Sequence, residues 1–142
     1  MKWNLLFLLL IGAWGLQGQE LRIQVEGVNP SGGNLQIGLY RPTDGFPVSE
    51  SVFIGVEIEV GDSKTLQYSF QDLPAGIYGV AIYQDLNNNQ KLDKGVFGIP
   101  AEPYGFSGSQ STLWRKPTFD QVAFEYFGRT QTITVKLQKW GD

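Results

Sequence analysis

In short segments from residue 21 to residue 83, and again up to residue 137, the apolar side chains recur at every second position. Leu21, Ile23 and Val25 alternate with Arg22, Gln24 and Glu26, and Leu35, Ile37 and Leu39 repeat the pattern. Ile54, Val56, Ile58 and Val60 share one parity while Glu57 and Glu59 take the other. Leu66, Tyr68 and Phe70 form a further row, and Ile133, Val135 and Leu137 the last. A period of two places alternate side chains on opposite faces of a strand, so each segment reads as a half-buried strand rather than a helix. Ile77 to Tyr83 is apolar on both parities, which predicts a central strand with a core on one side and a covering loop on the other. Proline- and glycine-rich stretches at 29–34, 41–47 and 73–76 separate the rows.

The pattern predicts an all-β domain of about seven strands, folded as an antiparallel β-sandwich whose two sheets bury each other's apolar rows. A small closed barrel is the competing closure. The alternation fails from Gln84 to Lys116, a long excursion rich in asparagine, glycine and aromatics. Short strands are expected inside it, for example near Phe97-Gly98-Ile99. Phe119 to Phe124 reads as a strand or a single helical turn, with Thr118 and Gln121 spaced to cap it.

The first eighteen residues have a different character. Lys2 precedes the apolar run Leu5 to Ile11, and the small residues Gly12, Ala13, Gly15 and Gly18 follow. That order is that of a cleavable secretory signal. Leu5 to Leu16 spans twelve residues, against about 20 for a helix crossing a bilayer. The expected organisation is a signal peptide at 1–18 and a single β-sandwich domain at 19–142, with a periplasmic or extracellular destination. No later segment is apolar enough to suggest a membrane span after cleavage.

Absences in the composition limit the chemistry. The chain has neither cysteine nor histidine. Disulfides, thiolate nucleophiles and serine–histidine machinery are therefore excluded. Any metal must be held by oxygen, which favours calcium or magnesium. The formal net charge is −3, and losing Lys2 with the leader lowers it further. No basic run exceeds Arg115-Lys116, so nucleic acid is not an expected partner.

The densest polar constellation is Asp85-Leu86-Asn87-Asn88-Asn89-Gln90-Lys91-Leu92-Asp93. Side-chain oxygens at Asp85, Asn87, Asn89 and Asp93, with the main-chain carbonyl of Lys91, have the spacing that wraps a calcium ion. Gln90 and Val96 stand where an EF-hand places glycine and glutamate, and the flanks are β rather than helical. The competing reading is a turn held by asparagine and aspartate bonding to nearby backbone. Glu102 is a candidate to complete the shell. Asp85, Asp93 and Glu102 also suggest an acid–base pair of a small glycan hydrolase. Glu57 and Glu59 read as solubilising charges on an exposed face. Tyr104, Phe106, Trp114 and Arg115 form a candidate ligand surface for an envelope protein, peptide or glycan, or tether the long excursion to the domain body.

The segments Leu73-Pro74-Ala75-Gly76-Ile77-Tyr78, Asp85-Leu86-Asn87-Asn88-Asn89, Lys91-Leu92-Asp93 and Phe97-Gly98-Ile99-Pro100 carry a wider resemblance. It continues through Glu102-Pro103-Tyr104-Gly105-Phe106-Ser107, Pro117-Thr118-Phe119-Asp120 and Phe124. Over residues 21–139 the chain resembles the secreted bacterial family catalogued as domain of unknown function 2141. The resemblance implies a signal peptide and an immunoglobulin-like or transthyretin-like sandwich, with no established activity. Gln84 stands where the family pattern often has histidine, and Gln90 where it usually has glycine. Together these readings predict an exported, non-catalytic binding or structural module, calcium-stabilised at 85–93. The glycan hydrolase is the alternative.

Overall fold

The computed structural model describes residues 18–30, 32–108 and 115–140. Residues 1–17 of the expected signal peptide fall outside them, as does Trp114. Eight strands lie among the described residues: β1 (Glu20–Glu26), β2 (Asn34–Tyr40), β3 (Ile54–Glu59), β4 (Thr65–Gln71), β5 (Gly76–Asp85), β6 (Tyr104–Phe106), β7 (Phe124–Tyr126) and β8 (Gln131–Lys136). One sheet runs β4-β1-β8 and the other β3-β2-β5-β6, with β7 on the start of β5. The expected all-β sandwich is present, and its rows meet as the period of two requires. Leu21, Ile23, Val25, Leu35, Ile37, Leu39, Val80, Ile82 and Val135 are buried in one core, and Ile54, Val56 and Ile58 pack against it. Burying each such side chain contributes about 1.5–3 kcal/mol.

One pairing departs from the expected antiparallel pattern. β8 runs parallel to β1, from Leu21 opposite Gln131 to Glu26 opposite Lys136. The chain re-enters beside its own start, where the Thr130 hydroxyl donates to the Gly18 carbonyl at 2.9 Å. Starting from the same end, β8 has to run in the same direction as β1. The sheets also meet at one corner. Tyr104 and Gln138 exchange main-chain hydrogen bonds of 3.1 and 3.0 Å. That approach requires glycine at 105, since an ideal Cβ there would lie 2.5 Å from the Lys136 carbonyl oxygen.

The Leu73–Tyr78 segment turns the chain from one sheet into the other. Leu73 is buried, and the Tyr78 hydroxyl donates to the Pro74 carbonyl at 2.9 Å, pinning the corner from inside β5. β5 is the central strand predicted from its two apolar faces. Tyr78, Val80 and Ile82 face the core, while the opposite face at Gly79 is covered by Phe119 and Val122. Those residues belong to α1 (Phe119–Val122), the single helical turn that Thr118 and Gln121 suggested. Gln121 accepts the Thr118 N–H at 2.9 Å. The strand expected near Phe97 is instead a 3-10 turn at Val96–Gly98 between the bridged residues Lys94 and Pro100. Phe97 takes a left-handed φ of 60° at that turn and is 95% exposed.

Candidate functional site

The long excursion leaves the end of β5 and returns through β6, so its first turn stands at one rim of the larger sheet. Asp85 anchors that turn. Its carboxylate is fully buried and accepts the Asn89 N–H at 3.1 Å and the Gln90 N–H at 2.6 Å. Asn89 Oδ1 accepts the Lys91 N–H at 2.9 Å. Asn87 and Asn89 donate their side-chain amides to Asp93 at 2.5 and 2.8 Å. Glu102 is buried and braces both ends of the turn, accepting the Leu86 N–H at 2.9 Å and the Asp93 N–H at 3.1 Å. The structure thus brings Asp85, Asn87, Asn89, Asp93 and Glu102 together, with Lys91 on the exposed side. Among the described residues, no group of three or more acidic side chains is placed to hold a metal ion. The carboxylates of Asp85 and Glu102 each bind two main-chain amides, which is the geometry of a loop brace.

Gln84 and Gln90 acquire clear roles in the structure. Gln84 is fully buried, donates to the carbonyls of Asn29 and Gly32 at 2.7 and 2.8 Å, and accepts the Asn29 N–H at 2.8 Å. It ties the β1–β2 loop to the end of β5. Gln90 sits at φ 60°, a left-handed conformation that glycine adopts without steric cost.

The same rim forms one wall of a groove on the outer face of the larger sheet. Its volume is about 420 Å³, within the range of roughly 300–1,000 Å³ typical of small-molecule sites. The floor follows from register. Gly38 pairs with Gly55 on one side and with Ala81 on the other, so three small residues line up across β3, β2 and β5. Two residues along β2, Tyr40 lies back over Gly38: an ideal Cβ at 38 would meet the Tyr40 ring at 2.8 Å. Phe46, from the loop after β2, meets Tyr40 edge-on at 5.1 Å and Phe106 at 5.8 Å. Gln90 and Leu92 close the groove from the 85–93 turn.

Two of the four residues expected to form a ligand surface, Tyr104 and Phe106, line this groove. Arg115 is exposed and outside the lining, and Trp114 lies outside the described residues. Sequence reasoning missed Gly38, Gly55 and Ala81; it placed Glu57 on an exposed face, and Glu57 is exposed. Glu57 is also a lining residue, and its carboxylate accepts the side-chain amides of Asn34 (3.1 Å) and Gln36. The available signal was small residues standing on the outward parity of successive rows, but it required the register to be recognised.

Within the lining the charge is acidic, while Lys91 stands exposed between the lining residues Gln90 and Leu92. Glu57 is the charged residue of the lining. Tyr83, across the sheet, has its phenol pushed up to about 12, first by burial and then by the carboxylates of Asp85, Glu102 and Glu57. Arg41, next to Tyr40, is turned elsewhere: its guanidinium sits 4.0 Å from the Phe53 ring centroid and pairs with Asp44.

Fold and site together define a small β-sandwich with an aromatic-walled groove on one sheet. A family model described as "Uncharacterized protein conserved in bacteria (DUF2141)" matches residues 23–134. The chain belongs to that family. No curated protein and no solved structure matches it.

Proposed function

We propose that this chain is an exported, non-catalytic binding module that holds a small amphipathic ligand in the groove floored by Gly38, Gly55 and Ala81. The observation that carries the reading is that floor. Gly55 and Ala81 leave a concavity where most outward strand positions would carry side chains that fill it, and Gly38 between them seats the Tyr40 ring as one aromatic wall. The candidate hydrolytic carboxylates are engaged by amides, which favours binding over glycan hydrolysis. Gly55 supplies the test. An ideal Cβ there meets only Val52, at 3.4 Å, an ordinary contact, and its φ is not left-handed. Gly55→Leu is therefore expected to fill the groove while leaving the fold intact. In a titration with 2-phenylethanol followed by amide chemical shifts, the wild type is expected to respond at Gly38, Gly55, Ala81 and Tyr83, and the variant not to respond. An equal response in both contradicts the reading.

Export rests on the leader at 1–18; among the described residues no helix is long and apolar enough to cross a membrane. A mature chain recovered outside the cytoplasm and beginning close to residue 19 is the expected result. A full-length chain retained inside contradicts it. The sandwich is assigned to the immunoglobulin-like or transthyretin-like type. The Tyr78 hydroxyl on Pro74 supports this, being a tyrosine corner at a sheet-to-sheet connection. A crystal structure with the strands connected in another order contradicts it.

Calcium reinforcement of the 85–93 turn is a second reading. It is supported by the hydrogen bonds that gather Asp85, Asn87, Asn89 and Asp93 into one turn. Binding would require the two asparagines to turn their Oδ1 atoms toward the ion, with the Lys91 carbonyl as a further ligand. Saturating calcium is expected to raise the wild-type Tm and to leave that of Asp93→Ala unmoved. The same shift in both chains contradicts a site at this turn.

A further inference from the structure

We infer that the groove selects an organic cation: a free small molecule carrying an ammonium group on a compact apolar body. This rests on the groove reading above and adds the sign and chemistry of the ligand. Three observations support it. The first is the division of the lining. On one side of the Gly38–Gly55 pair stand Tyr40 and Val52; on the other stand Gln36 and Glu57, themselves paired in register. A ligand matching both sides has an apolar body and a head that donates to a carboxylate.

The second is charge. The lining contains a carboxylate but neither lysine nor arginine. The nearest cation in sequence to the Tyr40 wall, Arg41, is paired with Asp44 and stacked on Phe53. Asp85 and Glu102 lie near the Tyr83 wall, whose phenol is raised first by burial and then by those two carboxylates and Glu57. Glu57 already accepts from Asn34 and Gln36, one bond to each oxygen. Each carboxylate oxygen retains a lone-pair direction for a further donor.

The third is the set of rings. Aromatic faces attract cations through their quadrupole, increasingly so as water is excluded. Tyr83 and Tyr104 line the groove in the same cross-strand row as Gln36 and Glu57, so an ammonium near Glu57 has both a counter-charge and aromatic surface. An anionic ligand meets repulsion from the same groups. The modest volume favours a free small molecule over a macromolecular segment.

The experiment uses three probes with similar bodies and different heads: 2-phenylethylamine, 2-phenylethanol and 3-phenylpropanoate. Each is titrated into the mature protein at neutral pH and followed by amide chemical shifts. The amine is expected to bind about tenfold more tightly than the alcohol, and the carboxylate more weakly than either. Glu57→Gln is expected to abolish the preference, so that the variant binds the amine and the alcohol with equal affinity. Glu59→Gln, on the same strand outside the lining, is expected to keep the full preference. About 1 M salt should compress the preference at this partly exposed rim. Equal affinity for all three probes overturns the choice of a cation and leaves a neutral binding groove standing. No response of the groove amides to any probe overturns both.

Discussion

Gly33→Ala is expected to lose about 4 kcal/mol or more of stability, enough to unfold a large fraction of a marginal domain. Gly33 has a φ of +79°, and an ideal Cβ there would lie 2.2 Å from the Asp85 carbonyl oxygen and 2.8 Å from the Leu86 Cα. Both obstacles are main chain, so no side-chain rotation relieves them. The left-handed conformation alone costs a non-glycine residue roughly 1–2 kcal/mol. Gly33 must then move away from the end of β5, although its carbonyl accepts the Val60 N–H at 3.0 Å. Gly61→Ala is the control, since nothing lies within 4 Å of its ideal Cβ. Urea unfolding should show a much lower midpoint for Gly33→Ala and an almost unchanged one for Gly61→Ala. Equal midpoints contradict the packing described at the β5 end.

Glu102→Ala is expected to destabilise by about 3 kcal/mol, because two half-buried amide donors lose a charged acceptor together. Glu102 is 4% exposed and spans the turn from the Leu86 N–H to the Asp93 N–H. Glu102→Gln keeps one acceptor but turns an NH₂ group toward the other donor, so it should recover only part of the loss. Hydrogen exchange should be accelerated first at Leu86 and Asp93 and then across 86–93, while the amides of β1 retain their protection. A loss below about 0.5 kcal/mol, within the range of ordinary surface changes, would show that the turn does not depend on this brace.

The two mutations explain why so much of the fold was legible and so little of the site. Rows such as Leu35-Ile37-Leu39 declare their buried face locally, because the strand period is a property of neighbouring residues. The connector at 73–76 was legible too, from its proline and glycine, but the Tyr78-to-Pro74 bond that pins it was not read. The parallel placement of β8 was not, because it depends on where the chain re-enters beside Gly18. The 85–93 turn was recognised as a polar unit, and Asp85, Asn87, Asn89 and Asp93 do converge. What its carboxylates bind depended on Glu102, nine residues beyond Asp93, and on which main-chain amides pointed inward. The groove was the least legible part. Tyr104 and Phe106 stood out as aromatics, but their floor consists of absent side chains. Glu57 looked like one exposed charge among others until β3 was placed beside β2. Phe97 shows the converse limit: its apolar neighbours suggested a strand, whereas it caps a tight turn in water.

The groove joins these observations. Gly55 and Ala81, the rings of Tyr40 and Phe106, and the braced turn at 85–93 all bound one space. The most direct measurement is the set of nuclear Overhauser contacts between the ring protons of bound 2-phenylethylamine and the protein. Contacts to Gly55, Tyr83 and Phe106 are predicted, with their disappearance in Gly55→Leu. Contacts confined to the exposed Phe97 or Phe127, or persisting unchanged in that variant, would contradict a binding site on this sheet.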